Sequence, residues 1–170
     1  MTPGKNQRGQ ATVEMAAVFT LIVMPVTLGL LMVAQAVWTW SGVIHLTRKG
    51  AQYAATHCWQ ADGQNVMTYM QNHVPVNIDV AQFRTGGTAQ INVSYFQRDP
   101  DSGQLNPFTC DGECSTACVP DAVTVSVTNY EFRRFVNFLH LQPVVMPSFP
   151  TSVAMQSAGC DPEQVGSCVP

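Results

Sequence analysis

Three groups of residues carry side chains able to do chemistry: a lone carboxylate, Glu14, six cysteines and four histidines. Glu14 stands at the head of an apolar run. No Asp, Glu, Lys or Arg follows it until Arg48, which leaves 33 charge-free residues at 15–47. Carrying a carboxylate to the centre of a bilayer costs roughly 2.5–3.5 kcal/mol, so one kept at the mouth of such a run has a use. The short polar stretch before it, with Lys5 and Arg8 as its charges, ends in Gly9 and has the form of a cut site. The cysteines, Cys58, Cys110, Cys114, Cys118, Cys160 and Cys168, all follow the apolar run. In a segment carried across a membrane, an even set of this kind reads as disulfides, and its connectivity is not fixed by sequence. Zinc is the rival reading. The spacing Cys110-x3-Cys114-x3-Cys118 is not a usual zinc pattern, and an oxidising compartment disfavours free thiolates.

The histidines, His45, His57, His73 and His140, are scattered. His57 and Cys58 are sequence neighbours, and neighbours on a helix point apart, which argues against a Cys–His nucleophile. No nucleophile elbow or phosphate-binding loop occurs. Asp99, Asp101, Asp111 and Glu113 do not follow calcium-loop spacing and read as solvated loop charge. Asn92-Val93-Ser94 matches a glycosylation sequon in form, a match that arises often by chance. The chain is therefore expected not to be an enzyme and to need no cofactor or metal.

The elements that must position these residues follow from composition. The 170 residues suit one compact domain plus an anchor. A net charge of −3 with no basic stripe gives nucleic-acid binding no support. A helix over 15–47 would be about 50 Å long against a hydrocarbon core of about 30 Å, so it must project beyond the bilayer, tilt or bend. Pro25, with Gly29 one turn on, predicts a kink or a short unwound stretch. Trp38 and Trp40 near the outer end, and Trp59 beyond them, read as an interfacial aromatic belt. The helix is expected to continue to about residue 58, with Ile44, Ala51, Ala54, Ala55 and Cys58 near one face. Beyond it, Asp62 caps a short helix at about 63–73, striped by Val66, Met70 and Val74 and ended by Pro75. Residues 76–96 read as a β-hairpin, 123–128 as a strand and 153–156 as a shorter one. Phe132, Phe135, Val136 and Leu139 fit a helical face. The stretch 98–120, rich in Asp, Gly, Ser, Pro and Cys, reads as a loop that needs disulfide staples. The fold class expected is α+β: a long N-terminal transmembrane helix followed by a small, mostly antiparallel sheet.

Three readings of the N-terminus compete. In a secretory signal the apolar region would be roughly 7–15 residues, and Ala34-Gln35-Ala36 offers a cut site, but Glu14 then has no role. A plain single-span anchor leaves Glu14 equally idle. If instead the cut falls after Gly9, Gln10 becomes the first residue and Glu14 the fifth, which resembles type IV prepilins. In a bundle of apolar helices, such a carboxylate neutralises the new N-terminal amine of its own or a neighbouring subunit.

The resemblance narrows further along the chain. Arg8-Gly9-Gln10-Ala11-Thr12-Val13-Glu14-Met15-Ala16, together with Arg48-Lys49-Gly50-Ala51-Gln52-Tyr53-Ala54-Ala55, resembles TadE-like pseudopilins, minor-pilin-like proteins of the tight-adherence (Flp) pilus machinery. It covers residues 8–59, about a third of the chain. Met15 stands where that family usually has phenylalanine, and the Cys-rich insert is not among its hallmarks. The resemblance implies a leader at 1–9, a pilin-like helix at 10–58 with its transmembrane part at about 15–46, and an exported α+β domain at 59–170 with an insert at about 98–120. It implies a prepilin peptidase, other pilins or pseudopilins, the pilus assembly platform and inner-membrane lipid as partners. The location implied is the cytoplasmic membrane, single-pass, with the C-terminal domain in the periplasm or at the cell surface, in or beside a pilus. The alternative is a membrane-anchored or secreted binding domain with a stapled loop, unrelated to pili.

Overall fold

The computed structural model describes residues 7–110, 112, 118–133 and 142–156. They fall into two units, one ending at Trp38 and the other beginning at Thr39.

The first unit is helical. Helix α1 spans Gln7–Val18, a π-helical turn spans Phe19–Val23, and helix α2 runs from Met24 to Thr56. The expected disturbance at Pro25 takes the form of this wide turn. Proline has no N–H to donate to the carbonyl four residues back, and its ring crowds that carbonyl. The chain answers by opening the preceding turn, and the Met24 N–H bonds to the Phe19 carbonyl, five residues back. Thr27 Oγ1 donates to the Met24 carbonyl at 2.8 Å just beyond the proline. Apolar side chains point outward along the whole stretch, among them Val13, Phe19, Leu21, Leu30 and Val33. One apolar stretch, Ala11–Thr56, is long enough to cross a membrane, with a most hydropathic window of 2.4 that is entirely unburied.

Burial begins at Thr39. The remainder of α2 seals Thr39, Gly42, Val43, Leu46, Thr47, Gly50, Ala51, Ala54 and Ala55 at three- and four-residue spacing. Ile44, expected on that face, is half-buried. Small residues let neighbours approach. At Gly50 a methyl group would collide with Met70 of α3 (Gln64–Asn72), whose Cγ lies only 2.8 Å from that position. Helix α3 is as expected, with Val66 and Met70 buried and Val74 half-buried after its end. Its start differs in detail. Gly63, at φ +63°, is the capping residue, and Asp62 Oδ1 accepts from the Gln64 N–H at 3.0 Å. A side chain at Gly63 would carry left-handed backbone strain and meet Val93 Cβ at 2.7 Å, so glycine is required there.

A four-stranded antiparallel sheet in the order β2-β1-β3-β6 completes the unit, from β1 (Gln90–Arg98), β2 (Leu105–Pro107), β3 (Ala122–Thr128) and β6 (Thr151–Ala154). Strand β3 alternates cleanly: Val123, Val125 and Val127 are buried, with Thr124, Ser126 and Thr128 on the opposite face. Register places Asn92 opposite Ser126, Ser94 opposite Thr124 and Ser152 opposite Thr124, so that outer face is hydroxyl- and amide-rich. A two-stranded sheet pairs β4 (Glu131–Phe132) with β5 (Val144–Val145).

Four expectations need correction. Residues 76–80 are not a strand of a 76–96 hairpin. Asn77 and Ile78, adjacent in sequence, are both buried, which strand alternation forbids, and the chain enters a 3-10 turn at Val80–Phe83. The Asp79 N–H, which would join a ladder, goes to Tyr130 Oη at 2.8 Å, and Asp79 Oδ1 accepts from the Ala81 N–H at 3.0 Å. The stretch 98–120 is not all loop, since Phe96, Gln97 and Arg98 pair with Pro107, Asn106 and Leu105. Phe132 lies in β4 rather than on a helix, and the rest of that proposed helix lies outside the described residues. The final strand is Thr151–Ala154, two residues earlier than 153–156.

Candidate functional site

Gly9 and Glu14 sit on α1, with Gly9 in open space. Glu14 follows Gln10 by four residues, which on an α-helix is one turn and about 6 Å of rise along the same face. The pair is thereby placed so that an amine at Gln10 and the Glu14 carboxylate would lie on one side of the helix. Beside them, Ala11, Thr12, Met15, Ala16 and Phe19 line a shallow apolar concavity of about 510 Å³. Its two alanines and one threonine keep the surface low between Met15 and Phe19, a shape suited to receiving another helix ridge.

Cys58, Cys110 and Cys118 form part of a framework around the far end of α2. Cys110 and Cys118 are disulfide-bonded, closing a ring across eight residues of the insert. Cys58, nearly sealed just past α2, is also disulfide-bonded. Cys114, Cys160 and Cys168 lie outside the described residues. Trp59 was expected in a membrane belt and is instead a core residue, 2% exposed. Its Nε1–H donates to the Cys118 carbonyl at 2.6 Å, and its ring meets Phe108 and Tyr95 edge-on at centroid distances of 5.0 and 5.9 Å. A tryptophan after the membrane helix carries no sequence signal that separates an interfacial ring from one clamped between helix end and insert. Trp38 and Trp40 do stay exposed.

An aromatic ladder went unread in the sequence. Tyr53 on α2 with His57 just past its end, and Tyr69 on α3 with His73 just past its end, are two pairs at four-residue spacing. They stack in the order His57–Tyr53–Tyr69–His73, with ring centroids 3.7, 4.0 and 4.2 Å apart. The Nδ1 atoms of His57 and His73 lie 2.9 Å from the carbonyls of Tyr53 and Tyr69, so each imidazole also closes the last turn of its helix. Repeated aromatic residues at i, i+4 were the available clue. An open groove of about 580 Å³ beside the ladder is lined by Tyr53, Gln60, Gln64, Asn65, Thr68, Tyr69, Asn72 and His73. Hydroxyls, amides and one imidazole line it, with no carboxylate, lysine, arginine or thiol among those residues.

Asp99, at the start of the insert, behaves as a turn former. Asp99 Oδ1 accepts from the N–H groups of Asp101 and Ser102 at 2.8 and 3.0 Å. Those backbone donors, Ser102 first, hold the Asp99 carboxyl below the usual carboxylate range. Asp111, Glu113 and His140 lie outside the described residues. Among the described residues no three His, Cys, Asp or Glu side chains gather as a metal site. Asn92 of the sequon stands exposed in β1, its Nδ2 donating to Thr128 Oγ1 at 3.1 Å.

A Gln82 amide buried to 2% exposure joins the 3-10 turn to β4. Its Nε2 donates to the Glu131 carbonyl and its Oε1 accepts from the Glu131 N–H, each at 2.8 Å. The side chain thus stands in for a neighbouring strand on the side of β4 away from β5. Comparison with family models, with curated proteins and with solved structures finds no match to this chain.

Proposed function

We propose that this chain is a pseudopilin-type assembly subunit of a tight-adherence (Flp) pilus, held in the cytoplasmic membrane by its N-terminal helix with the α+β unit exported. The observation that carries the reading is the apolar helix Ala11–Thr56, unburied in its most hydropathic window, with Glu14 one turn beyond Gln10 at its head. A prepilin peptidase removes residues 1–9, and the new amine at Gln10 finds the carboxylate of Glu14, in the same subunit or a neighbour. Burying that amine among apolar helices is costly without a counter-charge, which gives Glu14 a role that neither a plain anchor nor a signal peptide supplies. The shallow face at Ala11, Thr12, Met15, Ala16 and Phe19 then accepts a neighbouring pilin helix. The Trp59 clamp and the Cys110–Cys118 ring give the exported unit a rigid end.

N-terminal sequencing of the mature protein is the direct test. A start at Gln10 is expected, and a start at Val37 or an intact Met1 overturns the reading. Glu14→Ala is expected to leave cleavage intact and to reduce piliation severely; normal piliation in that variant removes the proposed role of Glu14.

A further inference from the structure

We infer that the end of the α+β unit at which the chain enters is a lipid-contacting rim, seated in the interface of a phospholipid bilayer. The inference rests on the membrane-anchor part of the reading above. Thr39 is the first residue of the unit, and two separate segments meet α2 within its first turn. Gly42 packs against the Asn77 side chain, which fixes the 75–80 loop beside this turn. Thr39 also borders a small cavity with Asp79, Gln82, Tyr130, Glu131, Phe132 and Arg133, which brings the β4–β5 pair to the same end.

Both segments present apolar side chains outward. Val76 is 92% exposed, Val144 58% and Val145 57%, with Trp40 at 39% on α2 itself. Three exposed valines and a tryptophan around one point of a unit whose core holds Val43, Val66, Val123, Val125 and Val127 call for an occupant. Covalent geometry selects lipid. The residue before Thr39 is Trp38, the end of an apolar stretch unburied along its length. From Ala11 to Trp38 an α-helix rises about 40 Å, enough to cross a hydrocarbon core of about 30 Å and reach the headgroup region. Whatever the angle at which the span enters, its outer end is tied to this rim.

The charges at the rim suit the interface. The Glu131 carboxylate is paired with Arg133 at 2.8 Å, and both Asp79 oxygens accept hydrogen bonds, from the Ala81 N–H and Gln82 Nε2. Arg48 and Lys49, the first charges after the apolar run, come about two and a half turns of α2 beyond Thr39. Tryptophan at the headgroup level, with valines dipping below it, is the usual composition of such a boundary.

The test uses the full chain, methyl-labelled at valine, in nanodiscs of phosphatidylcholine and phosphatidylglycerol. Nitroxide is carried on the acyl chain just below the headgroup in one sample, and a soluble gadolinium chelate is added in another. Valine→isoleucine variants assign the signals. Loss of the Val76, Val144 and Val145 methyl signals with the lipid-borne nitroxide, and their protection from the chelate, is the expected result. Core Val123 and Val125 serve as the unbroadened reference. If Val26 and Val33 in the span are broadened by lipid while Val76, Val144 and Val145 respond to the chelate, the rim is overturned and the anchor stands. If Val26 and Val33 also respond to the chelate, the anchor itself fails and the rim with it.

Discussion

Replacing Gln82 tests whether one side chain holds the 3-10 turn to β4. Gln82→Leu keeps similar volume and removes both 2.8 Å bonds to Glu131. It leaves the Glu131 backbone N–H and carbonyl without these partners in a part-buried place. An orphaned buried group costs about 1–3 kcal/mol, and the leucine regains part of that through apolar burial. The net expectation is a loss of about 2–4 kcal/mol, or roughly 10 °C in Tm for a unit of this size. Gln82→Glu adds a pH signature. A neutral carboxylic acid can donate to the Glu131 carbonyl and accept from its N–H, whereas a carboxylate faces that carbonyl acceptor to acceptor. The native state therefore holds the proton more tightly than the unfolded chain, where glutamate titrates near about 4.3. The native pKa is raised, so the stabilisation is present below the unfolded value and is lost as pH rises through the native one. Thermal unfolding of the full chain in micelles, followed by Trp59 fluorescence across pH, reads both variants. The reasoning is refuted if Gln82→Leu unfolds within about 0.5 kcal/mol of the parent, the range of ordinary surface substitutions. It is also refuted if Gln82→Glu follows the parent's pH profile.

Two further outcomes follow from the insert. Trp59→Phe removes the bond to the Cys118 carbonyl and part of a packed ring; a loss of about 1–3 kcal/mol is expected by thermal unfolding, with faster reduction of Cys110–Cys118 by a small thiol. Because Asp99 is held low by the Ser102 and Asp101 N–H groups, the β1–β2 turn is expected to be fully formed above the ordinary aspartate range. It should loosen as pH falls through the lowered native pKa, seen as new exchange at the Asp101 and Ser102 amides, and Asp99→Ala is expected to abolish that pH dependence.

Legibility in the sequence followed the reach of the interactions. The apolar helix, α3 and β3 were readable because their hydrophobic period is local and unbroken: Val66 and Met70 sit one turn apart, and Val123, Val125 and Val127 alternate. Residues 76–80 misled because their alternation was genuine and their hydrogen bonds were not local. Tyr130 and Gln82 take up backbone groups that a ladder would have used, across 51 and 49 residues of sequence. Strand β2 is three exposed residues ending in proline, and it forms because the Asp99 turn delivers it to β1. Trp59 could not be placed without knowing that the insert folds back over the helix end. At the head of the chain, the Gly9, Gln10 and Glu14 pattern was fully visible, since its spacing is one helical turn.

The ladder of His57, Tyr53, Tyr69 and His73 gives the unit an optical property. Two tyrosine rings face each other at 4.0 Å and 11°, one from each helix, close enough for their transitions to couple. Near-ultraviolet circular dichroism is therefore expected to carry a tyrosine contribution that is lost when α3 leaves α2. The protein reports the seating of that helix without an attached dye, even where the absorbance of many membrane helices hides everything else.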